Sequence, residues 1–210
     1  MRVTEIFYSI QGEGTRAGRP CVFVRFTGCD LRCSYCDTTY AFSGGEERSR
    51  SEILAEVARH PCRFVLLTGG EPMLQAELPD LARDLLARGH EVAVETHGQA
   101  PLESLPREVI RIADVKTPGS GFPATDLAWT ERLAPHDELK FVVTSEADFR
   151  WSVERIQAHR LEGRCTLLFS PAWGSVDPRD LVRWLLESGL DARVGLQLHK
   201  VIWGAEALGV

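Results

Sequence analysis

Residues 20–36 are PCVFVRFTGCDLRCSYC, an apolar, β-branched run followed directly by three closely spaced cysteines. Cys29, Cys33 and Cys36 form a Cys-x3-Cys-x2-Cys motif. Three thiolates can bind one small metal cluster, but they leave it one protein ligand short of a closed site. The motif therefore predicts a metal centre with an open coordination position, where a reactive ligand can bind.

Two other interpretations of the cysteines stay open on the residues alone. One is a zinc site that Asp37 or a distant histidine completes. Structural zinc motifs usually contain two Cys-x2-Cys halves, whereas Cys21, Cys62 and Cys165 are isolated. The other is a disulfide framework, which a chain of this length and apolar content does not need. The spacing favours a cluster.

The composition indicates one domain with a small partner. The chain has 210 residues, 44% of them hydrophobic, which is enough for one full core. Its net charge of -6 argues against nucleic acid as a partner, since that would require a basic surface. No apolar run approaches the roughly 20 residues that cross a membrane, and no signal-peptide pattern is visible. Scattered thiols predict a reducing, cytoplasmic environment.

Apolar runs alternate with segments of helical periodicity along the chain. The predicted strands are 20–26, 63–68, 91–96, 109–114, 138–143, 165–170 and 193–198, with a further strand, 3–9, at the sheet edge. The predicted helices are 51–59, 77–88, 126–133, 146–161 and 178–188, with an N-cap at Ser51 and C-terminal glycines at Gly89, Gly163 and Gly189. This alternation predicts an α/β fold, a partial, open βα barrel with a mostly parallel sheet. Functional residues of such a fold gather at the carboxyl ends of the strands.

A second motif, LTGGEP, lies at 67–72, directly after a predicted strand. Its glycines allow close backbone approach to a ligand, and Glu71 suits an ammonium group. An ordinary strand-to-helix turn with Pro72 at the helix start is the alternative. In this order, the cysteine motif and GGEP resemble the radical S-adenosylmethionine (SAM) superfamily. The resemblance implies a 4Fe-4S cluster on the three cysteines, SAM on its fourth iron, and SAM contacts from Gly69, Gly70 and Glu71.

The same resemblance implies further SAM contacts after later strands. They are Glu95 after the third strand, Asp114, Val115 and Lys116 after the fourth, and Ser170 and Pro171 after the sixth. Strand-end hydrogen bonds and surface ion pairs are the alternative roles for these residues.

The N-terminal loop SIQGEG, 9–14, narrows the family. Gln11 and Glu13 offer an amide and a carboxylate, which suit the donor and acceptor edge of an aminopyrimidinone ring. A flexible hairpin is the alternative interpretation of this loop.

Further matches are FxRFxGCxLxCxYCDT at 23–38 and QLHK at 197–200. With them, the chain resembles the 7-carboxy-7-deazaguanine synthase (QueE) family from residue 3 to about 203. The organisation expected from this resemblance is a single radical SAM domain, 1–210, with a short substrate-loop extension at about 1–19.

The resemblance implies a reaction. An electron from the reduced cluster cleaves SAM, and the 5'-deoxyadenosyl radical abstracts hydrogen from 6-carboxy-5,6,7,8-tetrahydropterin. Ring contraction with loss of ammonia then gives 7-carboxy-7-deazaguanine, for queuosine and other 7-deazapurines. The cofactors carry this chemistry, so no catalytic side chain is assigned. The implied partners are the pterin substrate, a low-potential reductant such as flavodoxin or ferredoxin, and a second copy in a homodimer.

The resemblance also implies the ligands of the substrate and of magnesium. The substrate contacts are Ile10, Gln11, Gly12, Glu13, Arg25, Thr68, His199 and Val210. Arg25 suits a bidentate contact with the substrate carboxylate. Thr38 matches a position that binds Mg2+ beside that carboxylate, and a hydroxyl suits this ion, although a turn residue is the alternative. The chain departs from the family after Lys200, because ten further residues precede the terminal carboxylate that contributes to the pocket in relatives.

Two rival functions are kept open. A glycyl-radical enzyme activase shares the cysteine motif, but it acts on a peptide loop and does not need Gln11, Glu13 and His199. A non-catalytic iron-sulfur or zinc-binding module would need only the cysteines. The residues of the N-terminal loop favour the small substrate.

Overall fold

The computed structural model describes residues 1–124 and 126–210, in which nine strands form one sheet. The strands are β1 (Arg2–Ile10), β2 (Pro20–Phe26), β3 (Glu46–Glu47), β4 (Phe64–Gly69), β5 (Glu91–Thr96), β6 (Ile110–Lys116), β7 (Glu138–Val143), β8 (Thr166–Pro171) and β9 (Arg193–Val194). The α-helices are α1 (Arg50–Val57), α2 (Leu78–Ala87), α3 (Glu146–His159), α4 (Pro178–Ser188) and α5 (Leu198–Trp203). Short 3-10 helices lie in several of the connections.

The strand order is β3-β1-β2-β4-β5-β6-β7-β8-β9. From β2 to β9 each neighbouring pair is parallel, whereas β1 is antiparallel to both β2 and β3. Since β3 and β9 are the outermost strands of the described sheet, the barrel is partial and open. The predicted fold class is confirmed.

Alternate residues of the parallel strands pack on opposite faces of the sheet. On one face, Val22, Val24 and Leu67 join residues of α1 and α2 in an apolar core. On the other face, Phe23 and Leu66 belong to a separate cluster, and both also line a cavity. Part of the cavity wall is therefore apolar.

Two helix ends near the start of the chain differ in detail from the prediction. Ser49, not Ser51, is the N-cap of α1, because its side chain accepts a hydrogen bond from the Glu52 amide and Glu52 bonds back to it. Gly89 follows the C-cap of α2 with a φ of 84°, as predicted for a helix-ending glycine.

Of the two glycines predicted to end the later helices, Gly189 is confirmed and Gly163 is wrong. Gly189 ends α4 in the left-handed conformation, which confirms the prediction. At the end of α3 a non-glycine residue, Arg160, takes that conformation with a φ of 52°. The helix therefore stops before Gly163, which is not its C-terminal residue.

The predicted helix 126–133 is wrong in type. The segment forms only the 3-10 helix Ala128–Arg132. Both the amide and the hydroxyl of Thr130 bond to the carbonyl oxygen of Leu127, so the backbone closes tighter turns than an α-helix does.

The last predicted strand, 193–198, is wrong beyond its first two residues. Strand β9 pairs with only two residues of β8, and α5 begins at Leu198. The Leu198 amide bonds to the carbonyl oxygen of Gly12, 2.9 Å away, instead of a strand neighbour. His199, which directly follows the predicted strand 193–198 and was expected at its end, therefore lies on a helix.

The N-terminal strand is also displaced from its predicted place. β1 lies one strand in from the sheet edge, because the short β3 pairs with it. In the described part of the chain, no helix is both long and apolar enough to cross a membrane.

Candidate active site

A cavity of about 250 Å³ lies among the ends of the parallel strands, the N-terminal loop, the cysteine loop and the C-terminal segment. Most residues predicted as ligand contacts line it. They are Ile10, Gln11, Gly12, Glu13, Arg25, Cys29, Cys33, Cys36, Thr38, Thr68, Gly69, Gly70, Glu95, Asp114, Lys116, Ser170, Pro171, His199 and Val210. The two others, Glu71 and Val115, are fully buried.

The carboxylate of Glu71 is occupied by groups of the protein itself. Its Oε1 accepts hydrogen bonds from Thr96 Oγ1 at 2.7 Å and from the Met73 amide at 2.9 Å. Its Oε2 accepts one from the His97 amide at 2.9 Å. The ring of His97 also lies 2.8 Å from Asp30 in the cysteine loop. Glu71 therefore joins the turn after β4 to the end of β5, and it lies behind the cavity wall.

The glycines of the GGE turn allow it to pack against the cysteine loop. Gly69 has a φ of 142°, which side chains rarely tolerate. A Cβ at Gly69 would overlap backbone atoms of Phe26, and one at Gly70 would overlap the carbonyl oxygen of Gly28. That carbonyl accepts a hydrogen bond from the Glu71 amide at 2.8 Å. Without glycine the two segments could not lie this close.

The thiols of Cys29, Cys33 and Cys36 are free and partly buried. Burial raises the pKa of all three, so metal binding has to displace their protons. Over residues 1–124 and 126–210, no three His, Cys, Asp or Glu side chains are arranged to hold a single metal ion. In an iron-sulfur cluster each thiolate binds a different iron, and three thiolates are a donor set that fits such a cluster.

Two buried polar atoms that belong to cavity-lining residues have no hydrogen-bond partner in the described structure: Tyr35 Oη and Asp114 Oδ1. The other oxygen of Asp114 accepts a hydrogen bond from Lys116 Nζ at 2.8 Å. Burial raises the pKa of Tyr35, so its hydroxyl stays protonated. Because buried polar groups normally have partners, these atoms indicate a polar ligand. Sequence reasoning missed Tyr35, and its place between two cysteines was the available signal.

The sequence also did not reveal Lys140 on β7 as a residue of the site. Its side chain is only 6% exposed, and Nζ lies 2.9 Å from Glu13 Oε2, 2.5 Å from Glu95 Oε1 and 3.8 Å from Asp114 Oδ2. Burial acts to lower the pKa of Lys140, but the carboxylates of Glu13 and Glu95 outweigh it and hold that pKa well above its ordinary value. A lysine inside the predicted strand ELKFVV was the only sequence signal.

The N-terminal loop packs against α5. Gln197 Nε2 donates a hydrogen bond to Glu13 Oε1 at 2.8 Å, and a Cβ at Gly12 would overlap the ring of His199. Burial lowers the pKa of His199, which favours a neutral imidazole. Burial acts to raise the pKa of Glu13, but the charge of Lys140 outweighs it, so Glu13 is ionised. The loop thus presents an anionic acceptor beside a neutral ring.

Two other residues that were predicted to contact the substrate already form hydrogen bonds with side chains of the protein. Arg25 Nε donates to Glu5 Oε1 at 2.7 Å, so a ligand carboxylate would use the terminal guanidinium nitrogens. The Thr68 hydroxyl donates to Glu95 Oε2 at 3.2 Å. Residues 207–210 line the cavity, so the extension beyond the QLHK motif folds back to it.

Thr38 follows Asp37, and its hydroxyl donates to Asp37 Oδ1 at 3.1 Å. The other oxygen, Oδ2, accepts a hydrogen bond from Lys200 Nζ at 2.5 Å. Burial acts to raise the pKa of Asp37, but Lys200 outweighs it and holds the pKa well below its ordinary value. Asp37 is therefore ionised, and the ammonium group of Lys200 on α5 balances its charge.

The profile of the Radical SAM superfamily matches residues 23–117. SuiB from Streptococcus suis, solved bound to S-adenosylmethionine, shares the fold with a TM-score of 0.56 at 13% identity, over 80% of this chain and 48% of that one. The profile match, together with the cysteine loop that it includes, identifies a radical SAM protein, and the likeness to SuiB shows that the fold is shared.

The chain is 44% identical to the 7-carboxy-7-deazaguanine synthase of Koribacter versatilis over 100% of both chains, and 42% identical to that of Chlorobaculum tepidum over 100% of this chain and 97% of the other. It belongs to the 7-carboxy-7-deazaguanine synthase family, as the motifs predicted. QueE from Escherichia coli shares the fold, with a TM-score of 0.78 at 21% identity over 94% of each chain. Family membership implies a 4Fe-4S cluster and SAM as cofactors.

Proposed function

We propose that the chain is a 7-carboxy-7-deazaguanine synthase, a radical SAM lyase of queuosine and 7-deazapurine biosynthesis. It contracts the ring of 6-carboxy-5,6,7,8-tetrahydropterin to 7-carboxy-7-deazaguanine with loss of ammonia. One observation carries this proposal: the cysteine loop, the GGE turn and the QGEG loop line one cavity, in a chain related over its full length to enzymes of that name.

The cluster side of the cavity fits its cofactors. Cys29, Cys33 and Cys36 would hold the 4Fe-4S cluster. When bound, the cluster and SAM supply the one-electron chemistry that begins the reaction. The unpartnered oxygens of Tyr35 and Asp114 support a polar cosubstrate beside the cysteines.

The remaining cosubstrate contacts are proposed from the cavity lining and, for Val115, from its place between the lining residues Asp114 and Lys116. The residues are Gly69, Gly70, Glu95, Val115, Lys116, Ser170 and Pro171. Among them, Val115 would act through its backbone or its packing, because its side chain is fully buried. Glu71 would act by fixing the turn rather than by direct contact, because its oxygens already accept hydrogen bonds from the protein.

The substrate side uses the residues around the N-terminal loop. Glu13, held ionised by Lys140, would accept hydrogen bonds from the donor edge of the pterin ring, and Gln11 would supply both a donor and an acceptor. The neutral ring of His199 would contact the substrate beside them. Ile10, Gly12 and Thr68 complete this wall of the cavity, since all three line it.

The substrate carboxylate would bind at Arg25 and Thr38, which also line the cavity. Arg25 would use its terminal nitrogens for this carboxylate, and Thr38 would bind Mg2+ beside it. Val210 lines the cavity, although ten residues follow the QLHK motif. This position supports a contact between its terminal carboxylate and the substrate.

The organisation of the whole protein belongs to the same proposal. Residues 1–210 form one radical SAM domain with a substrate-loop extension at about 1–19, which acts in the cytoplasm as a homodimer. The exposed apolar side chains of Val201, Ile202 and Trp203 on α5 support a subunit contact. The reductant is a low-potential electron carrier such as flavodoxin or ferredoxin.

The decisive experiment uses the anaerobically reconstituted and reduced protein. It is incubated with SAM, magnesium and the carboxytetrahydropterin, and the deazaguanine product is sought by mass spectrometry. The variant Cys33→Ala should lose iron and product, whereas Cys165→Ala, a free cysteine outside the motif, should keep both. Absence of product with an intact cluster would favour the activase, and a cluster spectrum that SAM leaves unchanged would favour the non-catalytic module.

A further inference from the structure

The side chain of Gln197 bonds to two carboxylates from distant segments. Its Nε2 lies 2.8 Å from Glu13 Oε1 in the substrate loop and 3.0 Å from Asp37 Oδ2 in the cysteine loop. An amide nitrogen carries two hydrogens, and ionised carboxylates only accept, so the orientation of the amide follows from its partners. Both hydrogens are used, and Gln197 connects the two loops directly.

Gln197, Glu13 and Asp37 form a junction between the two loops, and two lysines balance the negative charges of its carboxylates. Lys200, with its side chain only 6% exposed, bonds to Asp37, and Lys140 bonds to Glu13. Two carboxylates that share one amide group repel each other unless cations neutralise them. Each lysine therefore stabilises one arm of the junction.

The position of Asp37 makes the junction relevant to both metal sites. Asp37 lies between Cys36, a proposed cluster ligand, and Thr38, the proposed magnesium ligand. Whatever fixes the carboxylate of Asp37 also limits where these two neighbours can move. On the other side, the amide of Leu198 ties α5 to Gly12 of the substrate loop.

We propose that Gln197 and Lys200 are positioning residues, which hold the segment Cys36–Thr38 at a fixed place relative to the substrate loop. The consequence rests on the proposed function: the substrate ring, bound through Glu13, stays aligned with the groups bound near Cys36 and Thr38. Loss of the junction then loosens the cysteine loop and separates SAM cleavage from product formation.

The first test needs neither cluster nor substrate. Amide hydrogen exchange is measured in the metal-free chain at Cys36 and Ala41, whose amides bond to Cys33 and Thr38 carbonyl oxygens. Lys200→Met should speed their exchange about tenfold, while amides in α4 stay unchanged. Lys200→Arg should restore slow exchange. The matched control is Arg183→Met, which removes an exposed ion pair on α4 and should leave both loop amides unaffected.

The second test uses the loaded enzyme. SAM cleaved per molecule of product should rise in Lys200→Met and in Gln197→Leu, with iron content unchanged. If Lys200→Met does not fold, Gln197→Leu carries both measurements, because it removes a neutral group. The inference would be overturned if the folded variants kept the wild-type exchange rates and the wild-type ratio of SAM cleaved to product formed. If the wild type makes no product but the exchange result holds, the proposed function fails and the positioning role stands.

Discussion

Lys140 Nζ lies 2.9 Å from Glu13 Oε2, although the two residues are 127 positions apart in the chain. The same ammonium group bonds to Glu95 and faces Asp114. One buried cation therefore links the loop proposed to bind the substrate with strand ends proposed to bind the cosubstrate. Burial acts to raise the pKa of Glu13 and of Asp114, but this charge, joined by Lys116 at Asp114, outweighs it and keeps both pKa values below their ordinary range.

Replacement of Lys140 by Met should destabilise the fold strongly, because it leaves the partly buried carboxylates of Glu13 and Glu95 without this buried cation. We expect a loss of about 3–5 kcal/mol in the free energy of unfolding, measured by urea denaturation of the metal-free chain at pH 7. Lys140→Arg keeps the charge and should lose less. A loss below about 1 kcal/mol for Lys140→Met would show that the contacts behave as a surface ion pair does.

Gly70→Ala should impair cluster assembly, because the new Cβ would overlap the carbonyl oxygen of Gly28 and displace the cysteine loop. Iron per chain after anaerobic reconstitution is the measurement. Gly163→Ala is the matched control: its Cβ meets open space, and its φ of 75° costs about 1–2 kcal/mol of backbone strain without touching the loop. Equal iron contents in the two variants would contradict the packing argument.

The stability contributed by His199 should depend on pH in a defined direction. Burial lowers its pKa in the folded state below the ordinary value of 6.5, so the unfolded chain takes up the proton first as the pH falls. The contribution is present above about pH 6.5 and is lost as the pH falls towards the folded-state pKa. The difference in unfolding free energy between wild type and His199→Asn should therefore shrink from pH 7.5 to about pH 5.5. A difference that grows over this interval would mean that the imidazole is protonated in the folded state.

Thr38→Ala should raise the magnesium concentration required for half-maximal product formation, by about tenfold if the hydroxyl is a direct ligand. Iron content should not change, because the cysteines are intact. Thr39→Ala, which removes the neighbouring exposed hydroxyl, is the control and should keep the wild-type magnesium dependence. An unaltered magnesium dependence in Thr38→Ala would remove Thr38 from the metal site.

The sequence predicted the location of the site better than its internal contacts. Because parallel strands end at the same edge of a sheet, residues at and beyond the carboxyl ends of β2, β4 and β6 were expected to meet, and residues from all three strand ends line one cavity. His199 was placed at a strand end, yet it reaches the same cavity from α5. Glu71 was predicted to contact SAM; in the structure its side chain is fully buried, and its two oxygens accept hydrogen bonds from the Met73 and His97 amides.

The sequence by itself determined the alternation of strands and helices, the cysteine loop and the family, because these depend on local spacing and on motifs within a few residues. Only the tertiary structure decided the contacts between segments, such as Glu13 with Gln197, which are 184 positions apart. Such a contact depends on how the N-terminal loop and α5 pack over the strand ends, and no local pattern specifies that packing. The role of Lys140 has the same origin, since a lysine in a strand becomes a buried counter-ion only when three carboxylates fold around it.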